Sequence, residues 1–125
     1  MAEDDQATVL VVDDTESNID IVVEALGEHY EVSVALDGES ALEIVEDEVP
    51  DLILLDIMMP DMDGYEVCRR LKAAEKTRSI PVVFLSAITG DEERQKGIDL
   101  GAVEYLTKPI DPKALQDTVS RILSK

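Results

Sequence analysis

Four apolar runs in this chain each stop at a side chain that can do chemistry. Thr8-Val9-Leu10-Val11-Val12 stops at Asp13-Asp14, Leu52-Ile53-Leu54-Leu55 at Asp56, Pro81-Val82-Val83-Phe84-Leu85 at Ser86, and Val103-Glu104-Tyr105-Leu106-Thr107 at Lys108-Pro109. If the runs are parallel strands, their carboxyl ends share one edge of a sheet, the edge at which open α/β sheets bind ligands. Three carboxylates, a hydroxyl and an ammonium then meet there. Unit charges about 5 Å apart repel by roughly 3 kcal/mol at an effective dielectric near 20, so the carboxylates require a counter-cation. Two carboxylates and a backbone carbonyl leave octahedral positions for water and a phosphate oxygen, which suits Mg²⁺ better than the larger Ca²⁺. One oxygen of Asp56 is then left to attack phosphorus. Lys108 and the metal offset charge on the transferring group, while Ser86 and backbone N–H groups hold its oxygens. The product of that chemistry is an aspartyl phosphate.

The elements that must position these groups are legible in the spacing of apolar residues. After Asp14, the residues Ile19, Val22, Val23 and Leu26 recur at three and four, and Gly27 supplies a helix stop. Tyr30 to Ala35 alternates as an edge strand does, and Asp37-Gly38 leads into a helix from about Glu39 to Asp47. Asp63 with Glu66 resembles a capping pair ahead of Val67, Cys68 and Leu71. A more polar helix is predicted from Asp91 to Leu100, ending at Gly101, and Leu115, Val119, Ile122 and Leu123 stripe the last. Strand alternating with helix predicts a doubly wound five-stranded parallel sheet with five helices. The unbroken apolar runs Val9–Val12 and Ile53–Leu55 belong at its centre. Right-handed crossovers leave few topologies, and the flavodoxin-like order 2-1-3-4-5 places Asp13, Asp14 and Asp56 at the crevice where the chain reverses direction.

Composition bounds the rest. The 125 residues, 45% hydrophobic, suffice for one core, with residues 7–125 as the domain and residues 1–6 as a disordered polar leader. Eleven Lys and Arg against 29 Asp and Glu give a formal net charge of −18, which repels nucleic acid and anionic lipid. No apolar run approaches the ~20 residues that span a bilayer. The lone Cys68 forms no internal disulfide, and the start Met1-Ala2-Glu3-Asp4-Asp5 has neither the basic nor the apolar region of a signal peptide, so a cytoplasmic protein is expected.

The ordered set of Asp13-Asp14, Asp56 followed by Pro60 and Asp63-Gly64, Ser86-Ala87, and Lys108-Pro109 resembles a bacterial response-regulator receiver domain of two-component signalling, over Val9 to about Leu123. The resemblance implies that Asp56 accepts phosphate from the phosphohistidine of a sensor histidine kinase or phosphotransfer protein. It implies that Asp14, Asp56 and the backbone carbonyl of Met58 ligate Mg²⁺, with Asp13 assisting through water. It further implies that Lys108 pairs with the phosphoryl group, Ser86 is the hydroxyl switch, Tyr105 turns inward as Ser86 moves, and Lys108-Pro109 is a cis peptide. An output protein, an effector domain or a second copy of the chain would read the face made by the fourth helix, fifth strand and fifth helix. Ser86 stands where threonine is commoner, which keeps the hydroxyl and loses a methyl group. Met58 and Ile88 fall where the family flanks the path of hydrolytic water; both are apolar, so a comparatively long-lived phosphoaspartate is expected.

Plainer roles exist for single residues. Asp13-Asp14 alone serves equally as a helix cap, Lys108 alone as a solvated lysine, and Tyr105 alone as a half-buried strand residue. Cys68 falls on an apolar stripe and is expected in the core, and His29 has no cluster to join. A calcium-binding EF-hand reading of Asp61-Met62-Asp63-Gly64 fails because its terminal ligands would be Met59 and Arg70. A phosphatase of the haloacid-dehalogenase type needs an Asp-x-Asp motif after the first strand and a substrate cap, whereas here the aspartates are adjacent and no length remains for a cap. A receiver-like interaction module that accepts no phosphate would be favoured by loss of Asp56 or Lys108, and both are present.

Overall fold

The computed structural model describes residues 6–87 and 90–123. Its elements are β1 (Thr8–Val12), α1 (Glu16–Leu26), β2 (Glu31–Ala35), α2 (Gly38–Asp47), β3 (Leu52–Asp56), α3 (Gly64–Ala73), β4 (Val82–Ser86), α4 (Asp91–Asp99), β5 (Glu104–Thr107) and α5 (Pro112–Leu123). All strand pairs are parallel and the order is β2-β1-β3-β4-β5, the flavodoxin-like order expected among the few that right-handed crossovers leave. β3 and β4 are buried at every position, and β1 at all but Thr8. β2 and β5 lie at the edges and keep exposed residues.

Alternation along the strands divides the interior in two. Leu10, Val12, Ile53, Leu55, Val82 and Phe84 face one side, where they meet α2 and α3 through Ala41, Val45, Val67, Cys68 and Leu71. Val9, Val11, Leu52, Leu54, Val83 and Leu85 face the other and meet α1 and α5 through Val22, Leu26, Leu115 and Val119. Each large side chain so buried contributes about 1.5–3 kcal/mol. Within α1 the inner stripe includes Ala25, while Val23, expected inside, is 40% exposed. Most of the polar leader expected over residues 1–6 falls outside the described residues; Gln6 is described and donates through Nε2 to the Glu28 carbonyl at 3.4 Å.

Helix termini show local chemistry at work. Asp37 accepts from the Ser40 N–H at 2.8 Å and Asp63 from the Glu66 N–H at 2.9 Å. Only half of the expected capping box forms, because the Glu66 carboxylate turns to Arg69 and Arg70 one turn on. Gly27 follows α1 with a right-handed φ of −63°, so its stop owes nothing to left-handed backbone. Gly101 does: at φ 110° it donates to Ile98 O while Ala102 donates to Gly97 O, a Schellman closure that ends α4 one residue before the predicted Leu100.

Candidate functional site

The carboxyl ends of β1, β3, β4 and β5 deliver Asp13, Asp56, Ser86 and Lys108 to one edge. Register fixes their heights: Val12 pairs with Leu55, Asp56 with Leu85, and Ser86 with Thr107. The Lys108 N–H then donates to Ser86 O at 2.7 Å, extending the ladder one residue beyond the strand. The peptide joining Lys108 to Pro109 is cis.

Lys108 Nζ lies 3.1 Å from Asp13 Oδ2 and 3.1 Å from Asp56 Oδ1. Both carboxylates are buried, Asp13 completely, and Asp14 beside them is exposed. Asp13 is not the cap of α1, which is Thr15; its Oδ1 instead accepts the Thr15 N–H at 2.9 Å. Both Asp13 oxygens are therefore engaged, whereas Lys108 holds Oδ1 of Asp56. Ser86 is fully buried and Tyr105 is 3% exposed. The tyrosine is thus inward rather than half-buried, packed at 6.3 Å from the Phe84 ring beneath Gly97, where a side chain would crowd both rings.

The loop from Asp56 to α3 shapes the surroundings of the carboxylate. Gly64, at the start of α3, donates to Ile57 O at 2.8 Å, and a Cβ there would overlap the Asp56 carbonyl oxygen. Only glycine permits that approach. The intervening loop is tight, with Met59 donating to Ile57 O and Met62 to Pro60 O. Met58 is 63% exposed within that loop, and Ile88, the other apolar residue expected beside the water path, lies outside the described residues.

Burial first, and then the charge of Asp13, push the Asp56 carboxyl above its ordinary value, against the hydrogen bond and charge of Lys108 that pull it down. Burial opposes the charge of Lys108, but its hydrogen bonds to Asp13 and Asp56 and their charges outweigh that and hold the ammonium above its ordinary value. One ammonium thus serves a cluster in which Asp13, Asp14 and Asp56 each bring a carboxylate oxygen within 4.8 Å of the others. The unbalanced negative charge, the all-oxygen donors and the exposed Asp14 fit a hard divalent cation entering from solvent.

The same architecture recurs in known proteins. The profile for the response regulator receiver domain matches residues 9–120. The chain belongs to that family. It is 51% identical over 106 residues to the response regulator PleD of Caulobacter vibrioides, covering 84% of this chain and 23% of PleD. It is 40% identical over 120 residues to the alkaline phosphatase synthesis transcriptional regulatory protein PhoP of Bacillus subtilis, covering 94% of this chain and 48% of PhoP. The receiver thus spans well under two thirds of these relatives. Among solved structures, the Vibrio cholerae chemotaxis protein CheY4 superposes with a TM-score of 0.89 at 34% identity, over 94% of this chain and 99% of CheY4. A beryllofluoride-activated DrrB receiver domain gives 0.87 at 34% identity, over 96% and 99%. This receiver is a signalling module of two-component response regulators, and among its described residues no helix is long and apolar enough to cross a membrane.

Sequence spacing did not foretell one further set of contacts beside this site. Tyr65, in the first turn of α3, donates through its hydroxyl to Glu93 Oε1 at 2.5 Å, and Lys96 Nζ sits 4.4 Å from the centroid of its ring. Tyr65 and Glu93 are 28 residues apart, so only the tertiary fold brings them together.

Proposed function

We propose that this receiver accepts a phosphoryl group on Asp56 from the phosphohistidine of a histidine kinase or phosphotransfer protein, and that the phosphorylated form displays an altered α4-β5-α5 surface to an output protein, an effector domain or a second copy. The observation that carries this reading is the buried Asp56, held through one oxygen by Lys108 within a carboxylate cluster. Lys108 fixes Oδ1 and so presents the other oxygen for in-line attack. The phosphorus–oxygen bond forms as the phosphorus–nitrogen bond of the donor breaks, and the departing imidazole nitrogen keeps the electron pair. Lys108, raised in pKa and hence charged, moves from neutralising carboxylates to neutralising phosphoryl oxygens. Asp14, Asp56 and the Met58 carbonyl would hold Mg²⁺, with Asp13 acting through water. When bound, that ion would draw charge from the transferring phosphoryl group.

Ser86 lies at the end of β4 beside this group, and Tyr105 pairs in register with Phe84 on the same strand. A hydroxyl drawn toward phosphoryl oxygens leaves space that the tyrosine and α4 can occupy. Partner preference is set by the difference in affinity for the two arrangements. The acidic balance of −18 suits basic partner surfaces, and the proposed site of action is cytoplasmic.

Incubation with Mg²⁺ and acetyl phosphate, followed by intact mass measurement, tests the assignment. The parent gains one phosphoryl group and Asp56→Asn gains none; full labelling of that variant would sink Asp56 as acceptor.

A further inference from the structure

The α4 helix lacks the means by which the other helices are held. Of its nine residues, Asp91–Asp99, only Gly97 is buried, and Ile98 is 37% exposed. Isolated helices shorter than about 12–15 residues are marginal in water, so tertiary contacts must hold this one. Gly97 rests against Phe84 and Tyr105, and Arg94 Nη1 reaches Tyr105 O at 3.3 Å. Tyr65 grips two points one turn apart, Glu93 through its hydroxyl at 2.5 Å and Lys96 over its ring at 4.4 Å. A hydrogen bond to a carboxylate is among the stronger kind, and Lys96 adds a cation over the ring face. Burial and Glu93 push the Tyr65 hydroxyl well above its ordinary value, which keeps it the donor of this pair.

At its other end Tyr65 is set against the site and the core. Its backbone neighbour Gly64 abuts the Asp56 carbonyl, and its ring stands edge-on to Phe84 at 5.4 Å, which in turn packs on Tyr105 at 6.3 Å. The start of α3 thus links the Asp56 backbone, through Tyr65, to Glu93 and Lys96 of α4.

We propose that Tyr65 is a latch that holds α4 against α3 in the resting chain, and that occupancy at Asp56 acts in part by releasing it. The second half rests on the phospho-acceptor reading; the first does not.

Hydrogen exchange of the Arg94–Leu100 amides, measured without metal in the parent, Tyr65→Phe, Glu93→Ala and the double variant, tests the latch. Tyr65→Phe keeps the ring that packs on Phe84, and Glu93→Ala removes no buried apolar group. Each single change is expected to speed α4 exchange by about tenfold or more while α1 and α2 stay unchanged. The double variant should exchange no faster than the faster single. Unchanged α4 exchange in both singles, or logarithms of the two effects that add in the double, would overturn the latch, since independent roles are additive. With Mg²⁺ and beryllofluoride the parent should approach the Tyr65→Phe rate, and that variant should gain little more. An equal fold-increase in both proteins overturns the coupling. If neither protein binds beryllofluoride, the phospho-acceptor reading fails, and the metal-free comparison still decides the latch.

Discussion

Replacing Asp56 by asparagine should stabilise the metal-free protein. At an effective dielectric near 20, the 3.1 Å contact with Lys108 gives about 5 kcal/mol of attraction. Against it stand about 3.5 kcal/mol of repulsion from Asp13 at up to 4.8 Å and about 1 kcal/mol from the solvent-screened Asp14. These nearly cancel, leaving the cost of keeping a carboxylate buried, which amounts to several kcal/mol for an isolated ion. Asparagine has the same shape, can still accept from Lys108, and leaves that ammonium paired with Asp13. A net gain of about 2 kcal/mol at pH 7 results, or roughly 8 °C in Tm for a domain of this size. Urea unfolding in EDTA measures it. The sign with pH is fixed by linkage: the folded carboxyl is raised, so the parent gains stability as pH falls through that raised value, with nothing further to gain below the unfolded value near 3.9. The advantage of Asp56→Asn should therefore shrink over that interval. Lys108→Met should do the reverse and cost about 3–5 kcal/mol, since it strips both buried carboxylates of their ammonium. An Asp56→Asn protein less stable than the parent by about 1 kcal/mol or more would refute this electrostatic account.

Mg²⁺ should raise the parent's Tm by an amount that grows logarithmically above its Kd, and Asp14→Ala should abolish the gain; an equal gain in thermal melts of that variant would place the ion elsewhere. Gly64→Ala should cost about 2 kcal/mol or more in chemical denaturation and slow labelling by acetyl phosphate, because a Cβ overlaps the Asp56 carbonyl and must displace either α3 or the acceptor; an unchanged midpoint would show that the loop yields freely. Met58→Asn should shorten the phosphoaspartate lifetime several-fold by giving attacking water a polar partner at an exposed position. Loss of phosphate at the parent's rate in that variant, tracked by mass measurement over time, would count against the water-access argument.

The strands and their chemical termini were legible because each apolar run ends where the sheet ends, and the crossover rule then left little freedom in the strand order. Asp13, Asp14, Asp56 and Lys108 converge for that reason alone. What periodicity misjudged were positions decided by neighbours distant in sequence. Val23 fits the helical stripe of α1, yet it is exposed while Ala25 is buried. Tyr105 reads as half-buried on an edge strand, yet Gly97 leaves room for α4 to close over it. The Glu66 carboxylate had two eligible claimants, its cap partner and the arginines one turn on, and two guanidinium groups prevailed over one backbone N–H. Asp51 carried no signal, although it pins the start of β1 by accepting from the Thr8 N–H at 2.8 Å and hydroxyl at 3.1 Å. The Tyr65–Glu93 contact was likewise invisible, since no local period links α3 to α4.

The strict alternation of β4 carries a consequence for how such a chain can diversify. Phe84 points to the side that holds Tyr105, whereas Val83 and Leu85, its immediate neighbours, point to the side packed by α1 and α5. The two interiors are separated by a layer of backbone with no side chain in common. A lineage could therefore retune robustness to heat through Val22, Leu54 or Val83 while leaving the aromatic series at Tyr65, Phe84 and Tyr105 as it stands. Conversely, it could rewire that series for a new listener without weakening the other interior. The sheet acts as a bulkhead, so a change in the packing beneath α1 reaches the aromatic series only through the backbone layer between them.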